Sequence, residues 1–205
     1  MKRALLIVLV LALFLPGTAL SGYSVVLDVE PLYQKDYPDI LFELNGKGRS
    51  VKEVGCGAVC VSMAIHFLAP EAEQTPETLF LWAYEQGLYS GNGLSMKTLS
   101  EMLRSFGLDV SWCGPYRNRL RRALRDNCPI IAYMSKGRFT DSGHYILICG
   151  INHKDEVRVI DPNSETRSNR WYPLKLIFHE LGATSGFLIC KKEEEPVILK
   201  NMFIR

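Results

Sequence analysis

A cysteine stands between two glycines in Val54-Gly55-Cys56-Gly57-Ala58, and the run that follows stays apolar to Ile65 without a proline. Such a run is too apolar for a surface helix and predicts a buried central helix beginning at Cys56 or Gly57. The first turn of a helix leaves backbone N–H groups free and carries partial positive charge, and both favour thiolate over thiol. The flanking glycines let the chain turn sharply and let another backbone or a substrate approach the sulfur. Cys56 is therefore a candidate nucleophile, and a nucleophile of this kind needs a base. His144 follows Gly143 where a loop becomes a strand, and Asp161 closes the next apparent strand before Pro162-Asn163-Ser164. Antiparallel partners end together, so Asp161 should finish near the level where His144 starts. A carboxylate there holds an imidazole in one tautomer and stabilises its cation, leaving the second ring nitrogen for the Cys56 proton. Gln34 offers an amide N–H₂ which, with the Cys56 backbone N–H, could hold a developing oxyanion. The chemistry these four residues point to is acyl transfer through a thioester.

The other cysteines and histidines carry less. Cys60, Cys149 and Cys190 lie inside apolar runs, where free thiols are ordinary packing. His66 sits too far along the buried helix to serve Cys56, His153 is in a turn, and His179 is in a late helix or loop. Cys56 and Cys60 share a helical spacing, but no second pair accompanies them, so neither a zinc site nor any cofactor is expected. Six cysteines in an exported chain would raise the question of a disulfide framework. Cys113 ends one strand and Cys128 begins the next. If those strands are parallel neighbours, the sulfurs lie at opposite ends of the sheet, beyond the ~7 Å reach of a bridge. Cys149 and Cys190 each end a strand and could pair if those strands are adjacent.

The elements that must position these groups follow from the chain in order. Met1-Lys2-Arg3, an apolar stretch over residues 4–15, Pro16-Gly17 and the small residues Ala19 and Ser21 form a signal-peptide pattern over residues 1–21. Its apolar core is shorter than the ~20 residues of a membrane span. The expectation is a secreted or cell-surface protein with no stable membrane insertion after cleavage, a retained anchor being the alternative. Residues 22–205 suit one domain with a short C-terminal tail. A formal charge of +2 gives no reason to expect nucleic acid as a partner. Residues 24–31 alternate like a strand, and residues 32–36, with Gln34, leave it as a loop. A turn-rich segment with Asn45-Gly46 leads to the cysteine helix. Thr75-Pro76-Glu77 starts a helix that stops at Gly87. Ser95 caps another, which carries Met96, Leu99, Met102, Leu103 and Phe106 inward and ends at Gly107. Arg117, Arg119, Arg121, Arg122 and Arg125 surround apolar positions at helical spacing and read as a solvated helix face. Strands follow at 129–134, 143–150, 156–160 and 185–190, the middle two joined as a hairpin. Helices first and strands afterwards predict an α+β domain, a helical lobe packed on a mainly antiparallel sheet.

The chain order Gln34, Cys56, His144, Asp161 resembles that of papain-like cysteine peptidases. Tyr33-Gln34-Lys35-Asp36, Val54-Gly55-Cys56-Gly57, Phe139-Thr140-Asp141-Ser142-Gly143-His144-Tyr145 and Val159-Ile160-Asp161-Pro162-Asn163 look like the bacteriocin-processing, double-glycine leader peptidases and their stand-alone relatives. The resemblance spans about residues 26–187. It implies a papain-like fold, with Cys56 as nucleophile, His144 as base, Asp161 as orienter and Gln34 in the oxyanion hole. A peptide or protein substrate, no cofactor and a monomeric chain are then expected. Cys60 departs from the small residue this family often has there. A cell-wall amidase or peptidase of a related papain-like group is a second reading. Those groups usually carry an aspartate before and a serine after the cysteine, where this chain has Gly55 and Gly57. A peptide-binding module without turnover is a third, and the presence of all four residues counts against it.

Overall fold

The structure is a computed structural model that describes residues 24–182 and 186–192. The expected signal segment and the end of the tail lie outside the described residues. The first strand, β1 (Val25–Val26), is much shorter than the alternation over 24–31 suggests. A single 3₁₀ turn holds Gln34, and the hairpin of β2 (Phe42–Leu44) and β3 (Lys47–Arg49) follows. Its turn is Asn45-Gly46, both with positive φ (53° and 69°), as a two-residue hairpin loop requires. The turn-rich segment thus forms a hairpin the sequence reading did not specify. One turn of helix, α1 (Val51–Val54), is capped by Ser50, whose Oγ accepts from the Glu53 N–H at 3.2 Å.

Helix α2 (Cys56–Leu68) is buried on every side from Gly57 to Ile65, as its composition demands. Helices α3 (Pro76–Glu85) and α4 (Met96–Ser105) start at the expected caps. Thr75 Oγ1 accepts from the Thr78 N–H at 3.2 Å and Ser95 Oγ from the Thr98 N–H at 3.0 Å. Gly87 and Gly107 end them with φ of +69° and +83°. Both helices pack on α2, and α4 also packs directly on β4 and β9 of the sheet.

Then come β4 (Leu108–Cys113), α5 (Arg117–Arg125), β5 (Ile130–Met134), β6 (His144–Ile151), β7 (Glu156–Ile160), β8 (Arg170–Pro173), α6 (Leu174–Glu180) and β9 (Phe187–Lys192). The sheet order is β4-β9-β5-β6-β7-β8, with β1 also on β6, and every described pairing is antiparallel. The fold is α+β, a helical lobe around the cysteine helix packed on an antiparallel sheet. Strand β8 went unforeseen because Arg-Trp-Tyr-Pro shows no clean alternation and carries a proline, and of the late helix or loop expected at His179 the structure has the helix, α6.

Two expectations about neighbours change. Strands β4 and β5 run parallel but are not neighbours, because β9 lies between them and is antiparallel to both. Cys113 and Cys128 still end up at opposite ends of the sheet. Strand β5 separates β6 from β9, so Cys149 and Cys190 are not on adjacent strands, and all six thiols are free. The arginine helix also differs from a simply solvated face. Arg117 and Arg121 reach Asp155, and Arg121 bonds the Asn152 carbonyl, so two of the arginines clamp the β6–β7 turn. No described helix is long and apolar enough to cross a membrane.

Candidate active site

Cys56 is the first residue of α2 and is half-buried. Neither flanking glycine has positive φ; Gly55 sits at φ −89°, ψ 8°. They are needed for closeness. A Cβ on Gly55 would lie 2.5 Å from the Val51 backbone, and one on Gly57 2.9 Å from Leu99 Cδ1 and 3.3 Å from the Tyr145 ring. The space that suggested an approach for substrate is filled by the protein's own α1, α4 and β6.

His144 is the first residue of β6, only 6% exposed, and pairs with Met134 of β5. A methyl group on Gly143 would collide with the Tyr133 hydroxyl, so a larger residue just before the imidazole has to push that ring aside. Strands β6 and β7 form the expected hairpin, with Leu147 opposite Ile160 and a bulge between Ile148 and Gly150. Asp161 follows Ile160 and is 0% exposed. Its Oδ1 lies 2.7 Å from His144 Nε2 and accepts the Asn163 N–H at 2.8 Å, an Asx turn across Pro162. Its Oδ2 accepts Arg167 Nε at 2.6 Å. Ser168 Oγ accepts the Asp161 N–H at 2.9 Å and closes the turn. The Asx turn is readable in Asp-Pro-Asn. Arg167 is not, because nothing periodic marks an arginine in a loop of serines and asparagines.

Burial alone would push the His144 imidazolium down, but hydrogen bonds to Asp161 and to Cys56, with their charges, outweigh it and raise the pKa to about 9. Burial likewise works against the Asp161 carboxylate. The His144 bond and charge, then Arg167 and the Asn163 N–H, nevertheless bring it below the usual carboxylate range. The five other thiols are all pushed up, first by burial, Cys149 to about 11.

Gln34 is buried, and its backbone N–H donates to the Pro162 carbonyl at 2.8 Å, which ties it to the Asp161 turn. Its Nε2 donates to the Val51 carbonyl at 3.0 Å and the Lys52 carbonyl at 3.3 Å. Two carbonyl partners fix which end of the amide is N–H₂, and both its hydrogens are engaged by α1. Gln34, Cys56 and His144 line one cleft of about 1500 Å³, between the 88–97 segment and the 137–143 loop. The structure bonds His144 to Asp161, sets Cys56 close enough to act on the imidazole, and puts Gln34 on the same cleft. His66, His153 and His179 do not line it, and no group of metal-binding side chains occurs among the described residues.

A half-buried cysteine at a helix start, facing an imidazole that a buried carboxylate holds, can exchange a proton and then attack a carbonyl. On an α+β fold of this layout, that is the arrangement a papain-like cysteine peptidase would need. A family model, the Peptidase_C39 like family, matches residues 26–183, and the chain belongs to that family. Among solved structures, a proposed C39-like peptidase from Bacillus anthracis is 12% identical with a TM-score of 0.58, covering 84% of this chain and 100% of that one. Xylellain, a cysteine protease from Xylella fastidiosa, is 13% identical with a TM-score of 0.57, covering 83% of this chain and 86% of its own. These two likenesses are of fold. No curated protein sequence matches significantly.

Proposed function

We propose that this chain is an exported peptidase in which Cys56, His144 and Asp161 work as one unit and cleave peptide bonds through an acyl-enzyme. The observation that carries the reading is the buried imidazole bonded to Asp161 at Nε2, with Cys56 as its other partner, at the edge of a long cleft. Nε2 is taken, which leaves Nδ1 for the sulfur. The Cys56 thiolate attacks the scissile carbonyl, and the carbonyl electron pair moves onto oxygen. The free N–H groups of the α2 start meet that oxyanion. Gln34 joins them when the longer of its two bonds, to Lys52, gives way. His144 then passes its proton to the leaving amine, the C–N bond breaks, and a thioester remains on Cys56.

The cleft supports a peptide as substrate. At about 1500 Å³ it exceeds the ~300–1,000 Å³ of pockets built for small ligands. Residues 1–21 support export, and the N-terminal mass of the mature protein tests it. The reaction is tested with a peptidyl chloromethyl ketone and mass spectrometry of the digested protein. Modification at Cys56 alone among the six cysteines is expected, with loss of turnover. Equal modification of Cys56 and Cys113 would contradict the assignment.

A further inference from the structure

Asp161 is fully buried and touches two cationic side chains. His144 and the Asn163 N–H occupy Oδ1, and Arg167 Nε occupies Oδ2 at 2.6 Å. The Arg167 side chain is 30% exposed and reaches the cleft wall. Its main chain is held separately: the N–H donates to Ser164 Oγ at 3.2 Å, and the carbonyl accepts the Tyr172 hydroxyl at 2.9 Å. Changing the guanidinium therefore leaves the turn's own bonds in place.

The charges can be followed through the proposed acyl-enzyme route, on which this inference rests. On that route the attacking thiolate, the imidazolium it pairs with, the Asp161 carboxylate and the Arg167 guanidinium sum to zero. After the first half-reaction the sulfur carries the acyl group and His144 has given its proton to the amine. Two charges have vanished, and Asp161 remains an anion without exposed surface, with Arg167 as the cation against it. A buried carboxylate that loses its partner answers by taking up a proton.

We propose that Arg167 is a positioning residue for the second half-reaction: it keeps the His144–Asp161 pair free of its proton in the acyl-enzyme, so that His144 can serve as base toward water. In that step the water oxygen bonds to the thioester carbon and its proton passes to His144. The C–S bond then breaks, and the sulfur keeps the electron pair. Carboxylic acid leaves, and thiolate and imidazolium are restored. The direction of the effect does not depend on which member of the pair holds the proton. Removing a neighbouring positive charge raises the proton affinity of both. The other titratable groups facing the pair are Cys56 and Cys60 from α2 and Tyr172 from β8. Burial pushes Cys60 and Tyr172 up, so both stay neutral across the working range. Arg138 and Arg170 act on the Tyr172 hydroxyl, but only Arg167 is in contact with Asp161.

The experiment uses an activated p-nitrophenyl ester of a short N-acylated peptide, for which the first half-reaction is fast and loss of the acyl group limits kcat. In Arg167→Met the acid limb of kcat is expected to move up by about one pH unit, a roughly tenfold loss below the limb. The limb of kcat/KM, which reports the first half-reaction, moves less. Arg167→Lys recovers most of the difference, and Arg167→Met adds nothing in an Asp161→Asn chain. An unmoved acid limb of kcat, or an equal slowing at every pH that persists in Asp161→Asn, overturns the inference while leaving the acyl-enzyme standing. A parent chain that never carries an acyl mass on Cys56 overturns both.

Discussion

The sulfur side and the base side of the cleft are held in place by different forces. Cys56 is placed by contact: Gly55 rests on the Val51 backbone and Gly57 on Leu99 and Tyr145, with no room for a Cβ at either. His144 and Asp161 are placed mainly by charge and hydrogen bonds, through Asn163, Arg167 and Ser168, with Tyr133 the close steric neighbour at Gly143. Each half therefore tolerates different changes. Packing resists added volume and is indifferent to charge, whereas a buried polar chain resists lost partners and accepts modest changes of shape.

The largest expected effect breaks the link between the halves. Cys56→Ala and His144→Ala should each lower turnover by about 10⁴–10⁶-fold, and removing both should cost little more, because residues acting as a unit are not additive. Steady-state kinetics on a peptide substrate checks this. A double variant far slower than either single one would mean that the two residues act separately.

Gln34 straddles the comparison, since its amide bonds α1 while its backbone holds the Pro162 carbonyl. Gln34→Ala should lower kcat roughly 10²–10³-fold, the cost of one oxyanion donor. Alkylation of Cys56 by iodoacetamide should hardly change, because attack on that reagent creates no oxyanion. Parallel loss of both rates would show that the side chain only supports α1.

Bulk should hurt the sulfur side more than loss of charge does. Gly57→Ala is expected to cost about 1–3 kcal/mol of stability, and Leu99→Ala in the same chain should relieve part of it. Chemical denaturation of the three variants measures the coupling. Strict additivity would show that Leu99 does not limit the space beside Gly57.

An effect of similar size, spread over pH, concerns stability. The folded pKa of His144 is raised above its ordinary value, so its contribution is full below about pH 6.5 and is lost as pH rises through about 9. Asp161 is depressed, so its contribution is present above about pH 4 and lost as pH falls through its folded value. The alkaline loss should amount to about 1–3 kcal/mol by denaturation and be absent in His144→Ala.

Much of this was legible in the sequence where local rules set the outcome. The caps Thr75 and Ser95, the stops Gly87 and Gly107, the apolar helix after Cys56 and the β6–β7 hairpin each follow from a few adjacent residues. What escaped depends on partners distant in the chain. The order that inserts β9 between β4 and β5 is set by which strand edges remain free, and no residue in those strands states it. Arg167 was missed for the same reason, since its role depends on where the turn after Asp161 folds back. The glycines beside Cys56 were expected to allow a sharp turn and a close approach; the close approach is what the structure has, by the Val51 backbone, Leu99 and Tyr145.

If one imidazole joins Cys56 to Asp161, the proton resonances of the His144 ring must respond to both partners. The chain has four histidines, and comparison with His144→Gln assigns the signal. The account predicts titration near pH 9 in the parent and at clearly lower pH in both Cys56→Ser and Asp161→Asn, each of which removes one of the partners that raise it. A His144 that titrates near its ordinary value of 6.5 in the parent, or that ignores either substitution, would contradict it.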